Sequence, residues 1–116
     1  MKTRIYYNPR CSKCRQTLAL LRERGIEPEI IHYLDNPPSR RTISTLLRCL
    51  GDDPRVAVRF KEPLARELGL SRRDERSRTE WAKILAEHPA LLERPIVVHG
   101  DRAALGRPPE NVMEIL

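Results

Sequence analysis

A chain of 116 residues with 40% hydrophobic and 33% charged side chains fits one globular domain, 1–116, whose core needs no metal or disulfide support. No apolar run is long enough to cross a bilayer and the first residues read as a strand, so neither a membrane-spanning helix nor an export signal is expected, and a reducing cytoplasm is the expected compartment. The net charge of +6 rests on scattered arginines and aromatics are only 4%, which does not make the basic and aromatic platform of a nucleic-acid binder; an anionic small substrate or an acidic protein partner fits the charge equally well.

Residues Thr3 to Tyr7 read as a strand stopped by the turn signal Asn8-Pro9. A helix pattern follows at once, with Cys14, Leu18 and Leu21 on one face and Gly25 as its stop. Cys11 therefore falls where a strand's end meets a helix N-terminus. Unpaired N–H groups and the positive end of the helix dipole favour a thiolate or a bound oxyanion there, and Arg10, Lys13 and Arg15 add positive charge. Cysteines in such surroundings have pKa values lowered to roughly 3.5–7.5. The polar neighbourhood argues against a buried, inert cysteine. Cys11-Ser12-Lys13-Cys14 is moreover a C-x-x-C in a βαβ setting, the thioredoxin-like redox signature, which makes Cys14 a candidate resolving thiol. Zinc would need a second ligand pair. Cys49, His32, His88 and His99 do not supply one at paired spacing, so no metal site is expected.

Glu29 to Leu34 reads as a second strand, completing a βαβ unit, and Asn36-Pro37-Pro38 stops it. Ser39 then caps a helix with Ile43, Leu46, Leu47 and Leu50 inward, ended by Gly51. Short helices follow at Arg55 to Phe60 and Pro63 to Leu68, and the charged stretch Ser71 to Arg78 reads as a solvated loop. Ser77-Arg78-Thr79-Glu80 is a capping box for a helix with Trp81, Ile84, Leu85 and His88 on one face. Pro95 to His99 is a third strand, turned at Gly100-Asp101 into a fourth at Arg102 to Leu105. A closing helix is expected to bury Val112, Met113 and Leu116. The order is β-α-β, a mostly helical insertion, then β-β-α: an α/β, thioredoxin-like fold with a mixed four-stranded sheet.

In that fold the segment entering the third strand carries a cis-proline beside the reactive cysteine. Pro95 is the candidate, and it would set Arg94 against Cys11. Arg107 precedes Pro108 in the loop after the hairpin, and an arginine fork binds oxyanions bidentately. A C-x5-R phosphate loop fails at Cys11, where the arginine position is Thr17. It matches formally at Cys49 to Arg55, but Asp52 and Asp53 in that loop would repel an oxyanion, so Cys49 reads as structural.

Asn8-Pro9-Arg10-Cys11-Ser12-Lys13, Asn36-Pro37-Pro38-Ser39-Arg40, Glu93-Arg94-Pro95-Ile96-Val97-Val98 and Gly106-Arg107-Pro108-Pro109-Glu110 together resemble the glutaredoxin-dependent arsenate reductases, in particular their short members. The resemblance runs from about Ile5 to Leu116. It implies that Cys11 attacks arsenate, with Asn8, Ser12 and Pro95 as the supporting loop. It further implies that Arg59, Arg94 and Arg107 bind the oxyanion, with Arg55 as an alternative to Arg59 under a shifted alignment. Glutathione would then attack the thiol–arsenate adduct, and glutaredoxin would release arsenite. No bound cofactor is implied, and a monomer is expected. Tyr7 stands where resistance-type members commonly have histidine, and Cys14 where many have serine. Two other readings use the same residues. Spx-type regulators, which bind RNA polymerase, share the Cys11-Ser12-Lys13-Cys14-Arg15 start, and a general thiol–disulfide oxidoreductase needs only the cysteine pair.

Overall fold

A computed structural model describes every residue from Met1 to Leu116. The elements run β1 (Thr3–Tyr6), α1 (Ser12–Glu23), β2 (Glu29–Ile31), α2 (Arg40–Leu50), α3 (Pro63–Glu67), α4 (Arg78–Glu87), β3 (Ile96–His99) and β4 (Arg102–Leu105). Short 3₁₀ helices cover Pro54–Ala57, Pro89–Leu91 and Pro109–Ile115. The chain divides into two compact units, one made of Met1–Asn36 with Arg94–Leu116 and the other of Pro37–Glu93.

The first unit holds the sheet, in the order β2-β1-β3-β4. β1 runs parallel to β2, with Ile5 opposite Ile30, and antiparallel to β3, with Ile5 opposite Val97. A parallel pair needs a crossover, which α1 supplies. The hairpin β3–β4 turns at Gly100, whose φ of 63° is costly for a residue with a Cβ. Leu18 and Leu21 of α1 pack with Ile5, Val97, Val112 and Ile115 as the core of this unit. This is the mixed four-stranded sheet and element order expected from the sequence.

The C-terminal segment departs from expectation. It is a 3₁₀ helix burying Pro109, Val112 and Ile115, while Leu116 is exposed and Met113 only half-buried. Three residues per turn brings every third side chain to the same face, so the inward set is spaced by three rather than by the α-helical three and four. β2 is likewise shorter than expected, ending at Ile31, with Tyr33 beyond it fully buried.

The second unit is helical. The Ser39 hydroxyl caps α2 by accepting the Thr42 N–H at 3.1 Å. Ile43, Leu46 and Leu47 of α2 are buried, as are Trp81, Ala82 and Leu85 of α4. The capping box at α4 is formed in both directions, Glu80 N–H to Ser77 Oγ at 3.2 Å and Ser77 N–H to Glu80 Oε1 at 3.1 Å. The loop 71–78 is exposed at most positions, yet two of its arginines are anchored: Arg72 lies 5.2 Å from the Phe60 ring centroid and Arg76 5.7 Å from that of Trp81. A guanidinium over an aromatic face gains about 0.5–1 kcal/mol even at an exposed site, which a purely charge-based reading of the loop misses.

Candidate active site

The reactive loop is shaped by Asn8. Its side-chain Oδ1 accepts the Arg10 N–H at 3.0 Å, and its carbonyl accepts the Cys11 N–H at 3.0 Å. These bonds turn the chain from β1 into α1, as asparagine commonly does in such turns. Arg15, one turn into the helix, clamps the loop by donating to the Pro9 carbonyl at 2.7 Å. Cys11 is the N-cap residue of α1 in an extended conformation (φ −91°, ψ 119°), with no side-chain cap bond. Its sulfur therefore sits among the free N–H groups of the first turn. Ser12 begins the helix and is exposed.

Two arginines from the other end of the chain reach this sulfur. Arg107 Nη2 lies 3.6 Å from Cys11 Sγ, and Arg107 Nε donates to the Arg94 carbonyl at 2.7 Å. The Arg94 guanidinium also hydrogen-bonds the Cys11 sulfur. The Arg94–Pro95 and Arg107–Pro108 peptide bonds are both cis. Asn111 Nδ2 donates to the Arg107 carbonyl at 3.0 Å, so the backbone around Arg107 is tied down as well.

Burial is the largest single influence on the Cys11 thiol and pushes its pKa up. Hydrogen bonds from the Cys14 N–H, the Cys14 thiol, the Arg94 guanidinium and the Lys13 N–H together outweigh it, and the pKa falls below that of an ordinary cysteine. Cys14 goes the opposite way. Its burial, reinforced by the Cys11 charge, pushes it up to about 12, against a smaller downward pull from the Asn8 N–H. The pair is thus a Cys11 thiol that ionises more readily than an ordinary cysteine beside a Cys14 thiol held protonated.

One residue that holds this arrangement carries no periodic signal in the sequence. Gly106 is buried, and its N–H donates to the Pro95 carbonyl at 2.9 Å. A Cβ there would lie 2.5 Å from Thr17 Oγ1 of α1 and 2.7 Å from Pro95 Cγ. The missing side chain lets the helix that carries Cys11 approach the loop that carries Arg94 and Arg107. Only a motif placing glycine directly before Arg107 signals it.

A protein-family model described as the ArsC family matches residues 6–115. The chain belongs to the ArsC family. It is 48% identical over 117 residues to an arsenate reductase of Haemophilus influenzae, with 100% of both chains covered. To an arsenate reductase of Neisseria meningitidis it is 44% identical over 114 residues, covering 97% of each. Among solved structures, an arsenate reductase from Vibrio cholerae superposes with a TM-score of 0.92 at 47% identity, covering 100% of this chain and 98% of that one. The ArsC fold is thioredoxin-like, in accord with the sheet described above.

In this ArsC chain the remaining arginines named from the sequence fall in the second unit. Arg55 is committed locally: its Nε and Nη2 grip Asp53 at 2.9 and 3.1 Å and its Nη1 donates to the Arg72 carbonyl at 2.7 Å. Arg59 is half-buried and paired more loosely, at 3.7 Å to Glu62 and 3.9 Å to Glu93. Of the two, Arg59 has the guanidinium less fully claimed by its own neighbours. Cys49 is a half-buried free thiol at the end of α2. His32 stands edge-on to Tyr7, with ring centroids 6.0 Å apart. No cluster of histidine, cysteine and carboxylate side chains has metal-binding spacing.

Proposed function

We propose that this protein reduces arsenate to arsenite, with Cys11 as the nucleophile and Arg94 and Arg107 as ligands of the oxyanion. The observation that carries the reading is the pair of guanidiniums converging on a thiol of lowered pKa, Arg107 Nη2 at 3.6 Å and Arg94 hydrogen-bonded to the same sulfur. A thiolate alone repels a divalent anion. Two fixed guanidiniums offset that charge, orient the oxygens, and leave arsenic facing the sulfur. Cys11 displaces one oxygen as water, giving a covalent thiol–arsenate adduct, and a second thiol then supplies the remaining electrons.

The external electron source in this reading is glutathione with glutaredoxin, as the family resemblance implies, and no bound cofactor is required. The site of action is the cytoplasm, whose thiols keep Cys11 and Cys14 reduced. Names of relatives that are arsenate reductases at 48% and 44% identity support the substrate. Arsenate-dependent NADPH consumption, coupled through glutathione, glutaredoxin and glutathione reductase, tests it. The wild type turns over with arsenate and not with phosphate or sulfate, and Cys11→Ser does not turn over. Equal NADPH consumption by Cys11→Ser would remove Cys11 from its role.

A further inference from the structure

Cys11 and Cys14 are both reduced, and they occupy the N-cap and third positions of one helix turn. That spacing brings two Cβ atoms within the span of a disulfide without moving the backbone far. Their exposures differ in an informative way. Cys14 is 0% exposed and Cys11 9%, while Arg107, 3.6 Å from Cys11, is exposed. An oxyanion bonded to Cys11 and held by Arg107 therefore occupies the open side of the sulfur. Cys14 lies on the interior side, with its S–H directed at Cys11. Thiol attack at sulfur runs in line with the departing group, so an oxyanion on the open side calls for an attacking thiol from the interior, where Cys14 already hydrogen-bonds Cys11.

We propose that Cys14 supplies the second thiol of the reaction, attacking the Cys11 sulfur of the thiol–arsenate adduct so that arsenite leaves and a Cys11–Cys14 disulfide remains. This rests on the arsenate reading above. In the first step the Cys11 thiolate, the hydrogen arsenate dianion and two protons give a singly charged thiol–arsenate adduct and one water, with arsenic still pentavalent. In the second, a sulfur–sulfur bond forms and the sulfur–arsenic bond breaks. The bonding pair leaves with arsenic, which becomes trivalent, and the Cys14 proton passes to an arsenite oxygen, so that the product departs as the dihydrogen arsenite monoanion. Two thiols have together lost two electrons. An external thiol of the glutathione–glutaredoxin class then reduces the disulfide. Burial keeps Cys14 protonated before the reaction and so protects it from stray oxidants in the resting enzyme.

The test is an anaerobic single turnover of reduced, desalted protein with excess arsenate and no added thiol. Arsenite is measured by chromatographic speciation, and disulfides by mass spectrometry of unreduced peptides. Wild type and Cys49→Ser should each release one arsenite per chain and acquire the Cys11–Cys14 disulfide. Cys14→Ser should release none, although its Cys11 still alkylates rapidly, showing an intact site. If the wild type releases no arsenite until glutathione is added, yet turns over in the coupled assay, glutathione attacks the adduct directly and the proposal fails while the arsenate reading stands. If no arsenite forms even in the coupled assay, both fall.

Discussion

Replacing Gly106 by alanine puts a number on how closely α1 must approach the Arg94–Arg107 loops. The new Cβ would meet Thr17 Oγ1 at 2.5 Å, Thr17 Cγ2 at 3.2 Å and Pro95 Cγ at 2.7 Å. All are well inside ordinary contact distance, and neither the proline ring nor a threonine packed in the helix can swing away cheaply. Overpacking of this kind costs about 1–3 kcal/mol. For a domain of this size that corresponds to a melting temperature lower by about 4–12 °C. Thr17 permits a sharper test. Its Oγ1 is buried with no hydrogen-bond partner, so Thr17→Ala sacrifices packing but no polar contact, and it removes two of the three clashes. In the double variant the two changes should not add, and a coupling of about 0.5–3 kcal/mol should favour the pair. Urea denaturation followed by circular dichroism measures all four corners of the cycle. A Gly106→Ala protein as stable as wild type, or strictly additive losses, would refute the close approach.

The lowered Cys11 pKa predicts that Cys11 alkylates first among the three cysteines at neutral pH, with Cys14 last because burial keeps it protonated. Rate follows thiolate, so the Cys11 rate should fall only as pH drops through a midpoint below roughly 8.5, the value of an ordinary cysteine, and Arg94→Ala should move that midpoint up. Iodoacetamide pulses read by peptide mass spectrometry check this, and faster labelling of Cys49 would contradict it. Sulfate or arsenate should raise the melting temperature through linkage, by about 2.7 kcal/mol of stability at a hundredfold excess over Kd, and Arg107→Ala should lose most of that gain. Arg55→Ala, whose guanidinium is held by Asp53 and the Arg72 carbonyl, should keep it. Ser77→Ala, breaking the capping box of α4, should cost about 1 kcal/mol in chemical denaturation while leaving anion-induced stabilisation intact.

Much of the architecture was legible because local rules and the fold agree. Asn8-Pro9 before a helical period, Ser77 three residues ahead of Glu80, and Gly100-Asp101 between two apolar runs each act within a few residues, and each forms the element that its chemistry favours. Pro95 was legible only through fold analogy, since nothing local distinguishes it from the other prolines. What the sequence concealed depends on long-range approach. Gly106 carries no periodic signal, yet α1 needs its missing Cβ. The Arg107–Arg94 carbonyl bond joins residues 13 apart whose coupling exists only once the hairpin has closed. Arg72 and Arg76 read as solvated charges until Phe60 and Trp81 are brought beneath them. The C-terminal segment escapes apolar spacing because the choice between 3₁₀ and α periods over seven residues is too fine for that spacing to decide.

The claim that Cys11 uses its thiolate to reduce arsenate is tested most directly by counting products against electrons. In the coupled thiol system, arsenite measured by chromatographic speciation should accumulate at one equivalent per NADPH consumed for the wild type and for Cys49→Ser. None should form with Cys11→Ser. NADPH consumed by the wild type without matching arsenite, or arsenite formed at an undiminished rate by Cys11→Ser, would contradict the account.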